Sequence, residues 1–456
     1  MTAKLTFCGG TGTVTGANFL LDLDGVKILV DCGLVQGDES ADNINRSAFP
    51  YDPKTIDFLL VTHAHTDHIG RIGKLVKEGF AGQIWSNPET KDLSALLLED
   101  AVKLLDQEAR HKGILPLYEA KDVTQAFSLW QTVPYHTKRE LKNGINIFLK
   151  DAGHVLGSSM IEISYNNRKI VFTGDLGNSP SLLLKDTEDI TDANYIVMES
   201  VYGDRNHAPK EERKKKLKKV IEETIKYKRT LIIPAFSLER TQMMIYEMNE
   251  IFESGEIKTQ VPVFIDSPLA TKITQVYKAY PQDFNPAVQK DISSGDNIFA
   301  FPRLKFTVQT QESMSIHSMP NPKIIMAGSG MSSGGRVVAH EKHYMSNPNA
   351  EILCVGYQAA GTLGRQLQDG AKVVTIYGEE KEVHAKIDSI SGYSSHKDSD
   401  GLTEFVAKAA ESKTLDKVFV VMGEPRSSLF LVQKIRDNLG VNAIHPEYKQ
   451  EVELEF

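Results

Sequence analysis

His63-Ala-His65-Thr-Asp67-His68, which follows the apolar run Asp57-Phe-Leu-Leu-Val61, decides how this chain is read. It sets four ligand-capable side chains within six residues at the end of a strand pattern. Imidazole suits zinc and carboxylate oxygen completes such a site. On extended backbone, residues 63 and 65 point the same way, and Asp67 and His68 reach a neighbouring position, so one metal or two adjacent metals fit. The apolar run predicts a buried strand that delivers the cluster into a loop, ahead of a helix beginning near Ile69. A histidine-rich loop can also be plain polar surface. Against that stand Asp31 in Ile28-Leu-Val-Asp-Cys-Gly33, His154 in Gly153-His-Val-Leu-Gly-Ser158 and Asp175 in Phe172-Thr-Gly-Asp175. All three follow predicted strands, so the set converges on one sheet edge.

Outward from the cluster, the first segment reads as strands joined by glycine turns, at Leu5 to Cys8, Asn18 to Leu23 and Val26 to Val30, each apolar or β-branched. Leu93, Leu96, Leu97, Ala101, Leu104 and Leu105 recur at helical spacing and predict an amphipathic helix from Glu89 to Gln107. Strands resume at Ile145 to Leu149, Met160 to Ser164 and Lys169 to Thr173, the last two as a hairpin through Asn166-Asn167. From about Asp204 long helices alternate with isolated apolar strands, at Thr230 to Pro234, Val261 to Ile265, Lys323 to Ala327 and Glu351 to Val355. That alternation marks β-α units and a mostly parallel sheet. Glu382 to Ile387, Ser399 to Ala410 and Lys417 to Met422 then read as strand, helix and strand. The expected organisation is α/β: a first domain over residues 1–205, an inserted α/β domain over 206–380 and a return segment over 381–456.

The 456 residues are 41% apolar and 25% charged, ordinary values for a folded globular chain. A formal net charge of −8 argues against holding nucleic acid by bulk electrostatics, so any nucleic-acid site must be local. The densest basic run, Lys210 to Lys219, reads as a solvated helix face, because Leu217, Val220, Ile221 and Ile225 recur at helical spacing. Cys8, Cys32 and Cys354 are odd in number and lack Cys-x-x-Cys spacing, which speaks against disulfides and a thiolate zinc site. Neither a secretory leader nor a membrane span is evident, and the cytoplasm is expected.

The ordered set Asp31, His63 to His68, His154 and Asp175 resembles the metallo-β-lactamase superfamily, whose motifs run Asp, His-x-His-x-Asp-His, His and Asp. The resemblance implies an αββα sandwich in which His63, His65 and His154 hold one zinc. Asp67 and His68 would hold a second, Asp175 would bridge the two, Asp31 would support them from behind, and zinc-activated water would attack the substrate. Further along, the chain resembles the β-CASP group of nucleases, through Met198-Glu-Ser-Val-Tyr-Gly-Asp-Arg205, Ile233-Pro-Ala-Phe-Ser-Leu-Glu-Arg-Thr-Gln242, Asp266-Ser-Pro-Leu-Ala270, Gly328-Ser-Gly-Met-Ser-Ser-Gly-Gly-Arg336, Val355-Gly-Tyr-Gln-Ala-Ala-Gly-Thr-Leu-Gly364 and Ile390-Ser-Gly-Tyr-Ser-Ser-His-Lys-Asp398. Within that group it is similar to the endonuclease subunit of the cleavage and polyadenylation machinery and its compact prokaryotic counterparts. The fold implied is a metallo-β-lactamase αββα sandwich with an inserted α/β β-CASP domain.

By the same resemblance the chain is a zinc-dependent endoribonuclease that takes single-stranded RNA into a cleft between two domains, as compact relatives that often pair as homodimers do. His396 stands near the leaving oxygen and Glu199 orients it, with Asp67 and Asp31 completing the catalytic set. Gly328 to Gly335 offers backbone N–H groups with the hydroxyls of Ser329, Ser332 and Ser333, able to cradle a phosphate. Arg240, Arg336 and Arg365 add charge, and Ser237 and Thr362 complete the expected substrate-binding set. Singly, each glycine-rich loop reads more readily as a tight turn than as a phosphate cradle, and Ser237 also reads as a helix cap.

One position departs from the family. Where a histidine completes the second metal site, Phe419-Val-Val-Met-Gly-Glu-Pro425 places Met422. A thioether is a weak zinc ligand, which leaves the second site with Asp67, His68, Asp175 and water. This departure sets a non-catalytic RNA-binding or assembly subunit beside the ribonuclease; the first domain alone also permits a small-molecule or ester hydrolase on the same metals, against which the large insertion over 206–380 argues.

Overall fold

Alternation of core and solvent residues along Thr2–Gly9 and Asn18–Leu23 gives antiparallel strands that pair as Leu5↔Leu21 and Phe7↔Phe19. The computed structural model describes residues 2–37, 40–359 and 361–456 and separates into one unit of Met1–Asn206 with Ser395–Phe456 and a second of His207–Ser394.

Among the described residues the first unit holds two seven-stranded sheets. One runs in the order Glu451–Glu455, Thr2–Gly9, Asn18–Leu23, Val26–Val30, Phe58–Leu60, Gln83–Ser86, Trp130–Thr132. The other runs Ala443–Ile444, Lys417–Val420, Tyr195–Met198, Arg168–Phe172, Ser159–Tyr165, Ile145–Asp151, Arg139–Lys142. Phe7, Phe19, Phe58 and Trp85 from the first sheet share one buried cluster with Ile147, Ile161, Phe172 and Phe419 from the second. Each fully buried side chain of this size stabilises the sandwich by about 1.5–3 kcal/mol. Helices Ser399–Ala410 and Pro425–Leu439 cover the second sheet's far face, where Phe405 and Leu431 meet Val171 and Ile196. The helix Pro88–Lys112 packs against the first sheet at Trp130–Thr132. These layers are the expected αββα sandwich.

The hairpin at Asn166-Asn167 forms, with φ of 47° and 62°, values that asparagine tolerates. The helix predicted over Glu89 to Gln107 runs instead from Pro88 to Lys112. Asn87 caps its first turn and Gly113, at φ 66°, ends it, so the caps and not the apolar stripe set its length. The helix expected near Ile69 starts at Thr66, which puts Asp67 and His68 on a helical turn rather than in a loop. Only glycine at 33 permits that turn, since a Cβ there would lie 1.5 Å from the Asp67 carbonyl oxygen.

The second unit carries, among the described residues, a six-stranded sheet in the order Leu304–Phe306, Val263–Asp266, Lys323–Ala327, Thr230–Pro234, Ala350–Cys354, Lys386–Ser389, parallel throughout. Lys386–Ser389 pairs with Ala350–Cys354, so this strand belongs to the inserted sheet and the chain returns to the first unit at Ser395 rather than at 381. The basic run lies on the helix Lys210–Lys226, whose Leu217, Val220 and Ile221 are buried. All three cysteines are buried and free. Among the described residues no helix is long and apolar enough to cross a membrane.

Candidate metal centre

Three imidazoles of the cluster are aimed by a neighbour. Asp31, 1% exposed, accepts from Thr62 N and Thr62 Oγ1, both at 2.8 Å, and from His68 Nδ1 at 2.7 Å. Thr62 Oγ1 in turn lies 3.1 Å from His63 Nδ1, and the Ser395 carbonyl 3.3 Å from His154 Nδ1. With their Nδ1 atoms so engaged, His63, His68 and His154 turn Nε2 lone pairs inward. Thr62 and Ser395 were not singled out from sequence, although Thr62 adjoins His63 and Ser395 adjoins His396.

His65 Nδ1 lies 3.1 Å from His63 Nε2 and 3.3 Å from His154 Nε2. Asp175 Oδ2 is 3.4 Å from His63 Nε2 and 3.5 Å from His154 Nε2. Zinc bonded at about 2.1 Å in a tetrahedron sets its donors about 3.4 Å apart, so this donor set fits such an ion. Lone pairs facing one another at these distances repel unless a cation lies among them. Asp67, His68 and Asp175 form a second group able to hold a metal ion. In it His68 Nε2 stands 3.3 Å from Asp175 Oδ1 and 3.9 Å from Asp67 Oδ2. His68 Nε2 and Asp175 Oδ1 are buried without a hydrogen-bond partner, which suits atoms that ligate a metal. Met422 is not in this group; 2% exposed, it is packed in the sandwich core.

His396 is held beside the strand end that carries Asp175: Asn178 N donates to Ser395 O, and Lys397 N to Leu176 O, both at 2.8 Å. Its Nδ1 lies 3.1 and 3.2 Å from the oxygens of Glu199, which is fully buried and also accepts from Leu176 N at 2.7 Å. Burial pushes the His396 imidazole down, but the carboxylates of Glu199 and Asp175 outweigh it and hold it up at about 9. Burial and then neighbouring imidazoles keep His65 and His154 well below the usual histidine range.

The expected substrate-binding residues lie in the second unit, where several are spent on the fold. Arg336 donates to Asp266 Oδ1 at 2.7 Å and to the Val308 carbonyl at 2.6 Å. Arg240 donates to the Val355 carbonyl, and Arg365 to Asp369 at 2.9 Å. Ser332, 3% exposed, donates to Glu341 at 2.5 Å, and Thr362 caps the helix Leu363–Gln368. Ser333 is exposed and Ser329 half-buried, with their hydroxyls 3.0 Å apart. Ser237 Oγ lies 3.3 Å from Ser267 Oγ, and the helix Arg240–Glu253 takes Glu239, not Ser237, at its N-cap position.

Fold and donor set together define a metal-dependent hydrolase of the metallo-β-lactamase type. Residues 12–235 match the metallo-beta-lactamase superfamily, residues 241–367 the Beta-Casp domain, and residues 380–446 the Zn-dependent metallo-hydrolase RNA specificity domain. The chain is 33% identical over 398 residues to ribonuclease TTHA0252 of Thermus thermophilus, covering 87% of this chain and 89% of that protein. It is 31% identical over 462 residues to transcription termination factor FttA of Thermococcus kodakarensis, covering 97% of this chain and 70% of that one. The chain therefore belongs to the β-CASP family of the metallo-β-lactamase superfamily. A crystal structure of a protein of unknown function from Enterococcus faecalis V583 shares the fold, with a TM-score of 0.59, 15% identity and full coverage of both chains.

Proposed function

We propose that this chain is a zinc-dependent ribonuclease that cleaves phosphodiester bonds of single-stranded RNA in the cytoplasm. The observation that carries the reading is the convergence of His63, His65, His154 and Asp175 beside the Glu199–His396 pair. In this reading those four residues hold the first zinc, and Asp67, His68 and Asp175 a second. When bound, zinc supplies Lewis acidity and lowers the pKa of water enough for attack near neutral pH.

The chain's own residues position and complete the reaction. Asp31 and Thr62 lock the rings of His68 and His63. Glu199 accepts from His396 Nδ1, which leaves Nε2 to give a proton to the leaving RNA oxygen. Ser237, Ser329 and Ser333 contact substrate, whereas Arg240, Ser332, Arg336, Thr362 and Arg365 shape the loops that carry them. The relative named as a ribonuclease and the RNA specificity match over residues 380–446 support RNA as the substrate. The homodimer implied by the family resemblance is checked by analytical ultracentrifugation.

The withdrawal of Met422 into the core favours a second reading, an RNA-binding subunit without cleavage. Cleavage of labelled single-stranded RNA by zinc-loaded wild type and His65→Ala separates the two. Cleavage by wild type that His65→Ala abolishes supports the nuclease. Wild type that binds RNA and zinc yet leaves the strand intact supports the second reading.

A further inference from the structure

The metal chemistry leaves two exposed aromatic rings of the second unit unused. Phe236, 39% exposed, and Tyr357, 49% exposed, follow the strands Thr230–Pro234 and Ala350–Cys354. These strands are parallel neighbours paired Ile232↔Ile352. Continuing that register sets Phe236 level with Gly356, one residue before Tyr357, on strand ends separated by roughly 5 Å. Both rings therefore stand at the carboxyl edge of a parallel sheet, where α/β sheets take their ligands.

Their backbones are held firmly. The Cδ2 and Cε2 atoms of Phe236 lie against Gly330, where a Cβ would come within 2.6 and 2.8 Å of them. Gln358, 2% exposed, donates to the carbonyls of Gly330 and Gly356 at 3.0 and 3.3 Å. Gly364 N donates to Met331 O at 3.3 Å. Anchoring Gln358 inward sends its neighbour Tyr357 outward. The half-buried Ser329 and exposed Ser333, whose hydroxyls pair at 3.0 Å, belong to the same knitted loops. Phe236 thus keeps one ring edge packed and, with Tyr357, leaves ring surface open to solvent at this sheet edge.

We propose that Phe236 and Tyr357 form a platform on which consecutive bases of single-stranded RNA stack, with Ser329 and Ser333 contacting the adjoining phosphate. The proposal rests on the RNA-cleaving reading above and names how that substrate is gripped. Aromatic faces accept any base, so the grip is tolerant of sequence, and it excludes duplexes, whose bases are already stacked. The internal pairing of Arg336 and Arg365 makes stacking, rather than phosphate neutralisation, the main source of affinity here. Binding therefore depends only shallowly on salt.

The test is fluorescence anisotropy of the zinc-loaded protein with a short phosphorothioate oligouridine and its abasic counterpart. Phe236→Ala and Tyr357→Ala are each expected to weaken oligouridine binding by about tenfold and to leave abasic binding unchanged. Phe236→Tyr and Tyr357→Phe are expected to bind as wild type does. Phe236→Leu, which keeps the packing on Gly330, is expected to match wild type in thermal melting while losing affinity. A 2-aminopurine base in the strand should be quenched by wild type and not by the double alanine variant. Alanine variants that keep the wild-type preference for oligouridine over the abasic strand would overturn the platform alone. Wild type that binds neither strand would overturn the RNA reading and the platform with it.

Discussion

The sulfur of Met422 fills the space above Gly10: a Cβ on Gly10 would stand 2.5 Å from Met422 Sδ, and Met422 N donates to Gly10 O at 2.7 Å. The thioether is thus committed to core packing near Phe19, and the group of Asp67, His68 and Asp175 has three protein donors instead of four. Gly10, at φ 68°, is glycine both for its backbone and for this contact.

Unequal metal affinity follows. Titration with chelator-buffered zinc should show a tight first ion and a second weaker by at least roughly ten- to a hundredfold, the loss that removing even an outer-shell partner causes. Asp67→Asn should remove only the weak step, and Asp175→Asn, which touches both groups, should weaken both. Two equal steps in wild type would contradict the three-donor site.

His396→Ala should lower kcat on RNA by about 10²- to 10⁴-fold, the usual worth of a general acid. Metal content, read by elemental mass spectrometry, should stay at the wild-type value. Glu199→Gln keeps an acceptor for His396 Nδ1 and should cost less. A His396→Ala variant that loses zinc would make this residue a ligand instead.

Two buried carboxyls of the second unit make stability depend on pH. Burial, opposed by a hydrogen bond from Ser332, pushes Glu341 up to about 7; burial, opposed by Tyr277 and Arg240, does the same to Glu239. The folded chain holds these protons more tightly than the unfolded one, so their contribution is complete below pH 4.5 and is lost as pH rises through about 7. Glu341→Gln and Glu239→Gln should each flatten that decline, by at most about 3 kcal/mol. Urea denaturation across that window checks it.

Arg336 is expected to act on stability before it acts on RNA. Asp266 is fully buried; burial opposes its ionisation, yet His340, Ser313, Thr307 and Arg336 hold it at about 2. Arg336→Ala should lower the urea midpoint by an amount equivalent to about 2 kcal/mol, less than a wholly buried pair because the guanidinium is partly exposed. A variant with unchanged stability and lost RNA binding would return Arg336 to the substrate.

The metal residues were legible because each lies directly after a strand whose apolar run can be read locally. Helical segments alternating with isolated apolar strands likewise exposed the parallel insertion, whereas the αββα sandwich was implied by the family resemblance. Lys386–Ser389 was misplaced because a short strand's allegiance depends on its partner, Ala350–Cys354, and not on its own residues. Phe236 and Tyr357 passed unnoticed, since exposure of an aromatic ring has no local mark.

Sequence by itself determined which atoms can donate to a metal and in what order they come, and the family resemblance it carries marked Met422 as standing in place of a better ligand. Only the tertiary structure decided which donors are already engaged. It gave Arg336 to Asp266, Ser332 to Glu341 and Met422 to the space above Gly10, and it aimed His154 through the Ser395 carbonyl. The physical reason is that ligand chemistry belongs to a residue type, whereas hydrogen bonding and close packing are settled by neighbours that chain folding brings from far along the sequence.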